Sequence, residues 1–462
     1  MFTISSIFGS QISGTIGVWT SRRERDEMTL SRKIAASLTC AALIGGAAIL
    51  WPTYKRHTIE GKLADAARAY RVRAEQGDAK AQSSLGDCYS EGRGVPRDYA
   101  EAIRWYRKAA DQGFAAGQHG LGLRYAHGQG IPRDDAEAVR WLRAAADQNY
   151  APAQYSLGVS YARGLGVPQD HVKAIEWYRK AADQGCAQAQ YGLGYVYRNG
   201  HGVQQDDAEA IRWYRKAADQ GYPTAQYCLG LSYAQGIGVA RNYAEAIRWY
   251  RKAADQEEAM AQYGLGFMYH EGHGVPKDDT LAVAWMRKAA DQGDAAAQYV
   301  LGLSYARGVG VPCDYFACPR VTARQDEAEA VRWYRKSAEQ GYALAQYALG
   351  WMYYHGKGVQ QDFTEAVRWF RKAADQGDGM AQYYLGFRYY NGQGVARDYV
   401  QAHMWLSLAA SRVTGDSKQD CASGLERVTQ EMTPEQIAEA ERLAKEWKPR
   451  EESAAVSARV QP

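Results

Sequence analysis

The segment HEGH places His270 and His273 close together, and two histidines on one helical face can hold a zinc ion for hydrolysis. That chemistry needs the two rings one helical turn apart, with a glutamate between them as the general base. Here Gly272 directly precedes His273 and another glycine follows it, a composition typical of a turn. The segment therefore does not predict a metal centre.

Other candidates for catalysis are equally weak. The seven cysteines form no C-x-x-C pair, and the recurring G-x-G pairs follow helical segments, which is not the context of a phosphate-binding loop. With 56 lysines and arginines against 52 aspartates and glutamates, the charge balance does not indicate a nucleic-acid partner. We predict a non-enzyme with no catalytic residue, no metal and no cofactor.

The helices that would carry any such residue are repeated along the chain. A glutamine that usually follows alanine recurs in steps of 36 residues, with one step of 48, at Gln82, Gln118, Gln154, Gln190, Gln226, Gln262, Gln298, Gln346 and Gln382. A period in this range indicates a solenoid of stacked units. We predict nine copies over residues 78–411, and the longer step places an insertion within residues 312–326 of the seventh copy.

Each copy predicts two amphipathic helices. In the fourth copy, Ala189 and Leu193 begin the apolar stripe of a first helix, and Ala210 and Trp213 begin that of a second. A two-helix unit cannot bury such a stripe alone, so the segment AEAIRWYRKAADQG recurs because each copy packs against the next. The tryptophans from Trp105 to Trp405 are therefore expected to anchor the core.

Three further positions recur with a structural interpretation. A glycine in each first helix, from Gly86 to Gly386, is expected to let a neighbouring helix approach closely. An acid at the start of the second helix with a glutamate three residues later, as in Asp326 and Glu329, predicts a capping box. Arg215, on the polar face of the second helix, is expected to be solvated surface.

The recurring pattern A-Q-x-x-L-G-x-x-Y-x-x-G-x-G-V, followed by D-x-x-E-A and W-x-x-K-A-A-D-Q-G, resembles the Sel-1-like repeat, a relative of the tetratricopeptide repeat. The resemblance covers about three quarters of the chain. It implies an all-α fold, a right-handed superhelical solenoid of helix-turn-helix repeats. It also implies a scaffold for protein complexes, of the kind that serves membrane-associated quality control, bacterial envelope and signalling processes, and contacts with host proteins. A cysteine-rich, β-lactam-binding branch has two cysteines per unit, which this chain lacks.

The amino end predicts membrane targeting. Residues 34–51 carry no charge and follow a basic segment, residues 1–33. The apolar run is suited either to an uncleaved single-pass transmembrane anchor or to a signal that is removed, which would leave a secreted or periplasmic protein. Because the basic cluster precedes the run, the repeats are expected on the periplasmic, exported side. The chain could start at Met1 or at Met28.

Both ends of the array are expected to be capped. Residues 58–77 resemble a second helix without its first helix, and residues 412–447 predict capping helices in which Ala440 and Trp447 face inward. Residues 448–462 are predicted to be a disordered tail.

The insertion within residues 312–326 is expected to form a loop between the two helices of the seventh copy. Cys313 and Cys318 either pair, if the chain is exported, or remain free thiols in a tolerated insertion. Tyr315 and Phe316 lie between them and would be exposed aromatic contact points.

The candidate binding surface is the face of the first helices that the core does not use, expected on the concave side of the solenoid. Four positions in each copy define this face: two before the recurring glutamine, and one, five and eight after it. The tyrosine directly after the glutamine is expected to pack against the second helix of the preceding copy. The face becomes more aromatic along the chain, and we predict a protein-binding role for Phe267, Trp351, Tyr354, Phe387 and Tyr390.

Together these features predict a non-enzymatic protein-protein interaction scaffold, exported and membrane-tethered, that binds a protein or peptide in an apolar groove. The alternative is a periplasmic binder of cell-wall glycan or peptide, in which the aromatic stripe stacks on sugars. A third hypothesis is an enzyme confined to the insertion or the tail.

Overall fold

A computed structural model describes residues 47–311 and 322–450, with side chains described for residues 61–311 and 327–450. Every regular element in these ranges is an α-helix. The chain divides into two compact units, residues 1–169 and residues 170–462. Successive helices pack against each other within each unit, so the predicted all-α solenoid of helix-turn-helix repeats is confirmed.

The first unit contains six described helices. They are α1 Ala47–Glu75, α2 Ala79–Glu91, α3 Tyr99–Asp111, α4 Ala115–His127, α5 Asp135–Ala146 and α6 Ala151–Arg163. In this unit α2 pairs with α3 and α4 pairs with α5, as first and second helices of the first two copies.

The second unit contains the remaining helices of the described ranges. They are α7 His171–Asp183, α8 Ala187–Asn199, α9 Asp207–Asp219, α10 Pro223–Gln235, α11 Tyr243–Ala254, α12 Ala259–Glu271, α13 Asp279–Asp291, α14 Ala295–Arg307, α15 Thr322–Glu339, α16 Ala343–His355, α17 Phe363–Asp375, α18 Gly379–Asn391, α19 Tyr399–Ala410, α20 Asp416–Gln430 and α21 Pro434–Glu446. From α8 to α19 they alternate as first and second helices of the fourth to ninth copies.

The hairpins form where the sequence supplies a stop and a start. In the fourth copy, α8 ends at Gly200, whose φ of 68° is a left-handed conformation that glycine adopts without a Cβ penalty. The next helix, α9, begins after Asp206, whose carboxylate accepts a hydrogen bond from the backbone N–H of Glu209 at 2.9 Å. A short turn between the two residues then folds α9 back onto α8.

Half of the capping box is present at the predicted positions other than Asp326. Asp206 caps α9, but the Glu209 side chain binds Arg212 at 2.9 Å instead of reaching back to the cap. The reciprocal box forms at Thr433 and Gln436, at the start of α21. The prediction for Asp326 is wrong, because α15 already begins at Thr322 and Asp326 lies inside it. The intervening residues are helix formers with no glycine or proline, so the helix starts earlier.

The tryptophans join consecutive copies, as predicted. Trp249 on α11 is 5 % exposed and lies in one apolar cluster with Tyr214 of the preceding hairpin and Leu229 of its own. Trp105, Trp249, Trp333, Trp369 and Trp405 are buried, and Trp141, Trp177, Trp213 and Trp285 are partly buried. Each second helix therefore closes the core of the copy before it.

The recurring glycine of the first helices permits close packing, also as predicted. A Cβ atom on Gly194 would lie 2.5 Å from Cδ1 of Tyr214, and one on Gly230 would lie 2.7 Å from Cδ1 of Tyr250. In both cases the ring belongs to the second helix of the same copy. The glycine therefore sets the distance between the two helices of a hairpin.

Helices flank the regular copies at both ends of the array. Residues 47–75 form one helix, which includes the end of the apolar segment 34–51 and most of the predicted cap helix 58–77. At the other end, α20 and α21 pack on α19 in place of a further copy, and Ala440 is fully buried. The tail is ordered at its start, because the backbone N–H of Arg450 donates to the carbonyl oxygen of Asp375 at 2.8 Å.

Several predictions concern residues outside the described ranges. These are most of the apolar segment 34–51, the Cys313–Cys318 alternative with Tyr315 and Phe316, and the end of the tail, residues 451–462. Among the helices that are described, none combines the length and the apolar character needed to cross a membrane.

Candidate binding surface

The recurring glutamine is a buried junction that holds the first helices in place. In the fifth copy, Gln226 is 4 % exposed, and its Nε2 donates to the carbonyl oxygen of Ala218 at the end of the preceding second helix, at 3.1 Å. Its Oε1 accepts from Nε2 of Gln256 at 2.9 Å. The same glutamine pairs are Gln82–Gln112, Gln118–Gln148, Gln190–Gln220, Gln262–Gln292, Gln298–Gln340 and Gln346–Gln376. The glutamine of the repeated DQG motif is therefore the second half of this junction.

The ninth copy breaks the glutamine series. Gln382 donates to the carbonyl oxygen of Ala374 at 3.1 Å, but its Oε1 has no partner among the described residues. The position that carries glutamine in the other pairs is Arg412 here, and its guanidinium lies over the Trp447 ring, 4.9 Å from the centroid. The junction thus changes where the regular array meets its C-terminal cap.

A second junction was not predicted. Arg251 donates through Nη2 to the hydroxyl of Tyr269 in the first helix of the next copy, at 2.8 Å. Arg215 donates to Tyr233 in the same way. The prediction that Arg215 is only solvated surface is therefore wrong, because its charged end bridges two copies.

A groove lies between the first helices α10 and α12, where the fifth and sixth copies meet. Its volume is about 240 Å³. Leu231 and Ala234 line it from α10, and Met260, Tyr263 and Phe267 line it from α12. Phe267 is 41 % exposed, which is unusual for a phenylalanine. The structure therefore places the first predicted binding residue at an apolar concavity.

The aromatic rings around Phe267 are in contact with one another. His273 stacks on Tyr243 with 4.6 Å between the ring centroids and 3° between the planes, and Phe267 meets the edge of His273 at 6.1 Å. The HEGH segment therefore contributes one wall of the groove through His273. Within the described ranges, no group of three histidine, cysteine, aspartate or glutamate side chains is arranged to hold a metal ion.

His270, the other histidine of that segment, contacts an aspartate of its own copy. Its Nδ1 lies 2.6 Å from Oδ1 of Asp279 at the start of α13. Both residues line a smaller cavity of about 90 Å³ against α14. The matching positions of the fourth copy, Arg198 and Asp207, are also paired, at 3.7 Å. The residue eight places after the glutamine thus contacts the start of the second helix.

Trp351 and Tyr354 lie together on α16 and are partly exposed. The Trp351 ring is 4.3 Å from the His355 ring between centroids, and Tyr354 is 5.5 Å from Phe363. Burial, and then the charges of Lys357 and Arg388, lower the pKa of His355, so the imidazole is neutral at pH 7. Tyr354 thus has an intramolecular packing partner as well as an exposed edge.

Phe387 and Tyr390, the last two predicted binding residues, are partly buried. A Cβ atom on Gly424 of α20 would lie 2.9 Å from Cζ of Phe387, so the capping helix packs directly on this ring. Tyr390 lies 5.9 Å from Tyr399 between centroids. The structure brings Trp351 and Tyr354 together on one helix, but it separates Phe387 from solvent with a helix that carries no repeat motif.

The tyrosine after the recurring glutamine packs against a ring of its own copy. Tyr227 lies 5.9 Å from Tyr250, and Tyr347 lies 6.0 Å from Phe370, each on the second helix of the same hairpin. Tyr227 also packs against the apolar cluster that contains Tyr214 of the preceding second helix. The tyrosine therefore has a structural role, with a contact inside its own copy that was not predicted. The glycine three residues later permits this close approach.

The Sel1 repeat profile matches most of the chain. The matched segments are residues 79–114, 115–150, 151–186, 187–222, 223–258, 259–294, 295–316, 322–342, 343–378 and 379–412. Segments 295–316 and 322–342 each contain one helix of the seventh predicted copy. The chain belongs to the Sel1 repeat family, whose members are generally non-catalytic scaffolds for protein interactions.

Comparison with solved structures found several similar chains. A protective antigen of uropathogenic Escherichia coli strains with a Sel-1-like fold, c5321, is 36% identical over 85% of this chain and 88% of its own, with a TM-score of 0.45. A Sel1 repeat protein from Oxalobacter formigenes is 38% identical over 69% of this chain and 88% of its own, with a TM-score of 0.49. Yeast Tom70 is 12% identical over 89% of this chain and 97% of its own, with a TM-score of 0.36. Comparison with curated proteins gave no match.

Proposed function

We propose that this chain is a non-enzymatic protein-protein interaction scaffold that binds a protein or peptide on the concave face formed by its first helices. The Sel1 repeats support the scaffold role. The groove at Phe267 supports the choice of face, because it combines a volume of about 240 Å³ with aromatic and aliphatic walls. An extended or helical segment with one large apolar side chain fits such a groove.

The energetic argument rests on Phe267. A large apolar ring that is 41 % exposed loses contact with water when a partner covers it, whereas the core residues of the same helix have little left to bury. Leu344, two places before the glutamine of the eighth copy, is also 43 % exposed. Two of the large exposed hydrophobic residues therefore lie on the proposed face.

The test is capture of partners from an envelope extract by the full chain, followed by measurement of affinity for the captured protein. Phe267→Ala should weaken binding by about 30-fold, the effect of losing a central interface residue. Val172→Ala is the matched control, because Val172 is 57 % exposed on the second helix α7, away from the groove. Equal affinity of both variants for the partner would refute a binding role for the groove. Co-sedimentation with cell wall that depends on Phe267 would instead support the glycan alternative.

We also propose export and tethering through residues 34–51, with the repeats outside the cytoplasm. The uncharged run and the basic residues before it support this proposal. Protease added to spheroplasts should digest the repeats. Without protease, the repeats should stay in the membrane fraction. Release of intact repeats into the periplasmic fraction would favour a cleaved signal, and protection until lysis would refute export.

A further inference from the structure

Arg388 on α18 carries a buried positive charge. The side chain is 6 % exposed, and neither Nε nor Nη1 has a hydrogen-bond partner among the described residues. Its Cζ atom lies 4.3 Å from the centroid of the Tyr354 ring. Nowhere in residues 61–311 and 327–450 does a carboxylate form an ion pair with it. Burying a charge in this way is costly unless an opposite charge or a hydrogen-bond acceptor compensates it.

The second copy is the other copy with an arginine at this position, and there Nη1 has acceptors. Arg124 occupies that position on α4, and its Nη1 donates to Oγ of Ser90 at 2.9 Å and to Oε1 of Gln129 at 2.7 Å. Next to Arg388 of the ninth copy, Tyr354 of the eighth copy takes the place of Ser90 and presents a ring instead of a nearby oxygen. Gln393 takes the place of Gln129, and Nη1 of Arg388 nevertheless has no acceptor.

The neighbouring charges leave Arg388 uncompensated. The Lys357 ammonium lies 3.4 Å from Oε1 of Glu327, so this second cation already has a counter-ion. His355 contributes no charge at pH 7, because burial and the two nearby cations lower its pKa. The site therefore carries one net positive charge beside partly exposed aromatic rings.

We propose that Arg388 receives a carboxylate from the partner segment, in a subsite bounded by Tyr354 and the neighbouring Trp351. This inference rests on the proposed function, since it assigns a chemical class to the segment bound. A carboxylate carries one negative charge, which matches the one cation of this site that has no counter-ion within the described part of the chain, whereas a phosphate group carries nearly two at pH 7. Arginine also binds the two carboxylate oxygens with parallel N–H donors. The carboxylate comes from an acidic side chain or from a chain terminus.

Three small probes separate these sources in the full chain: acetyl-Phe-Glu-amide, acetyl-Phe-Gln-amide and acetyl-phenylalanine with a free carboxylate. Binding is followed by the NMR signals of the α16 backbone amides and of the Arg388 Nε–H group, which Arg388→Met identifies. At least one carboxylate probe should bind about tenfold or more tightly than the glutamine probe, the effect of one charged hydrogen-bonded contact. Preference for the glutamate probe indicates that the carboxylate comes from an acidic side chain. Preference for acetyl-phenylalanine indicates that it comes from a chain terminus.

Two variants complete the test. Arg388→Met should abolish the preference for carboxylate. Gln393→Glu keeps Arg388 but supplies an internal carboxylate, so it should also abolish the preference for carboxylate probes, and it should raise thermal stability. This second variant keeps the test decisive if Arg388→Met fails to fold. Equal binding of all probes, tighter binding of inorganic phosphate, or an unchanged preference in either folded variant would overturn the proposal. Partner capture that depends on Phe267 but not on Arg388 would leave the scaffold function standing and refute the carboxylate subsite alone.

Discussion

The substitution Gln226→Met tests whether the glutamine junction holds the repeats together. Methionine has nearly the same length and is apolar, so the change removes two hydrogen bonds with little change of volume. The bond to the carbonyl oxygen of Ala218 and the bond from Gln256 are both lost. Gln382→Met is the matched control, because Gln382 makes the carbonyl bond but its Oε1 has no partner among the described residues.

The expected cost follows from what each partner can do afterwards. The Ala218 carbonyl loses one donor but keeps the bond from the backbone N–H of Gly221 at 3.0 Å, so this loss costs about 0.5–1.5 kcal/mol. Gln256 keeps a bond to the carbonyl oxygen of Lys252 at 3.2 Å and reaches solvent, so its loss adds about 0.5–1.5 kcal/mol. We expect Gln226→Met to lower the free energy of unfolding by about 1–3 kcal/mol, and Gln382→Met by about 0.5–1.5 kcal/mol.

Urea unfolding of the full chain, followed by far-UV circular dichroism, measures the global effect. Hydrogen exchange over residues 207–235 measures the local one, which matters because a repeat array need not unfold in a single step. Faster exchange in this segment for Gln226→Met, with no change there for Gln382→Met, is the expected pattern. If Gln226→Met costs less than its control, the junction does not carry the stability assigned to it.

Two further predictions concern packing and protonation. Gly194→Ala should destabilise the fold by about 1–3 kcal/mol through overpacking. Gly192→Ala in the same helix should be neutral or stabilising, because its Cβ would lie 3.5 Å from the nearest ring. Thermal unfolding compares the two variants. Burial lowers the pKa of His119 to about 4, so the fold favours the neutral ring and loses stability as pH falls from about 6.5 towards 4. Between pH 7 and 4.5 the natural chain should lose about 2–3 kcal/mol more than His119→Asn in urea unfolding, and identical losses would contradict this assignment.

The sequence predicts the hairpins well because their signals are local. The stripe through Trp213 and the stop at Gly200 lie within one helix or one turn, and spacing rules apply there directly. The Gln226–Gln256 and Arg251–Tyr269 junctions join residues 30 and 18 positions apart, so no helical spacing rule connects them. Their only sequence signal is that both members recur at the same place in most units.

The binding surface is predictable only in part, for a related reason. The exposure of Phe267 follows from its place on the unused face of α12. The partial burial of Phe387 does not, because it depends on Gly424 in a helix without the repeat motif. Arg388 gives no signal of its own, since the same residue type at Arg124 finds two acceptors for its Nη1.

The position of the groove follows from differences between adjacent copies and not from the repeat itself. Identical hairpins would present an identical face at every step, with no place favoured for a ligand. At the fifth copy the face carries the smaller residues Leu231 and Ala234, and at the sixth it carries the large ring of Phe267. The small side chains leave a hollow that the large ring borders, and both line the same cavity. The invariant positions therefore build the solenoid, while the step in side-chain size between neighbouring copies decides where a partner can be held.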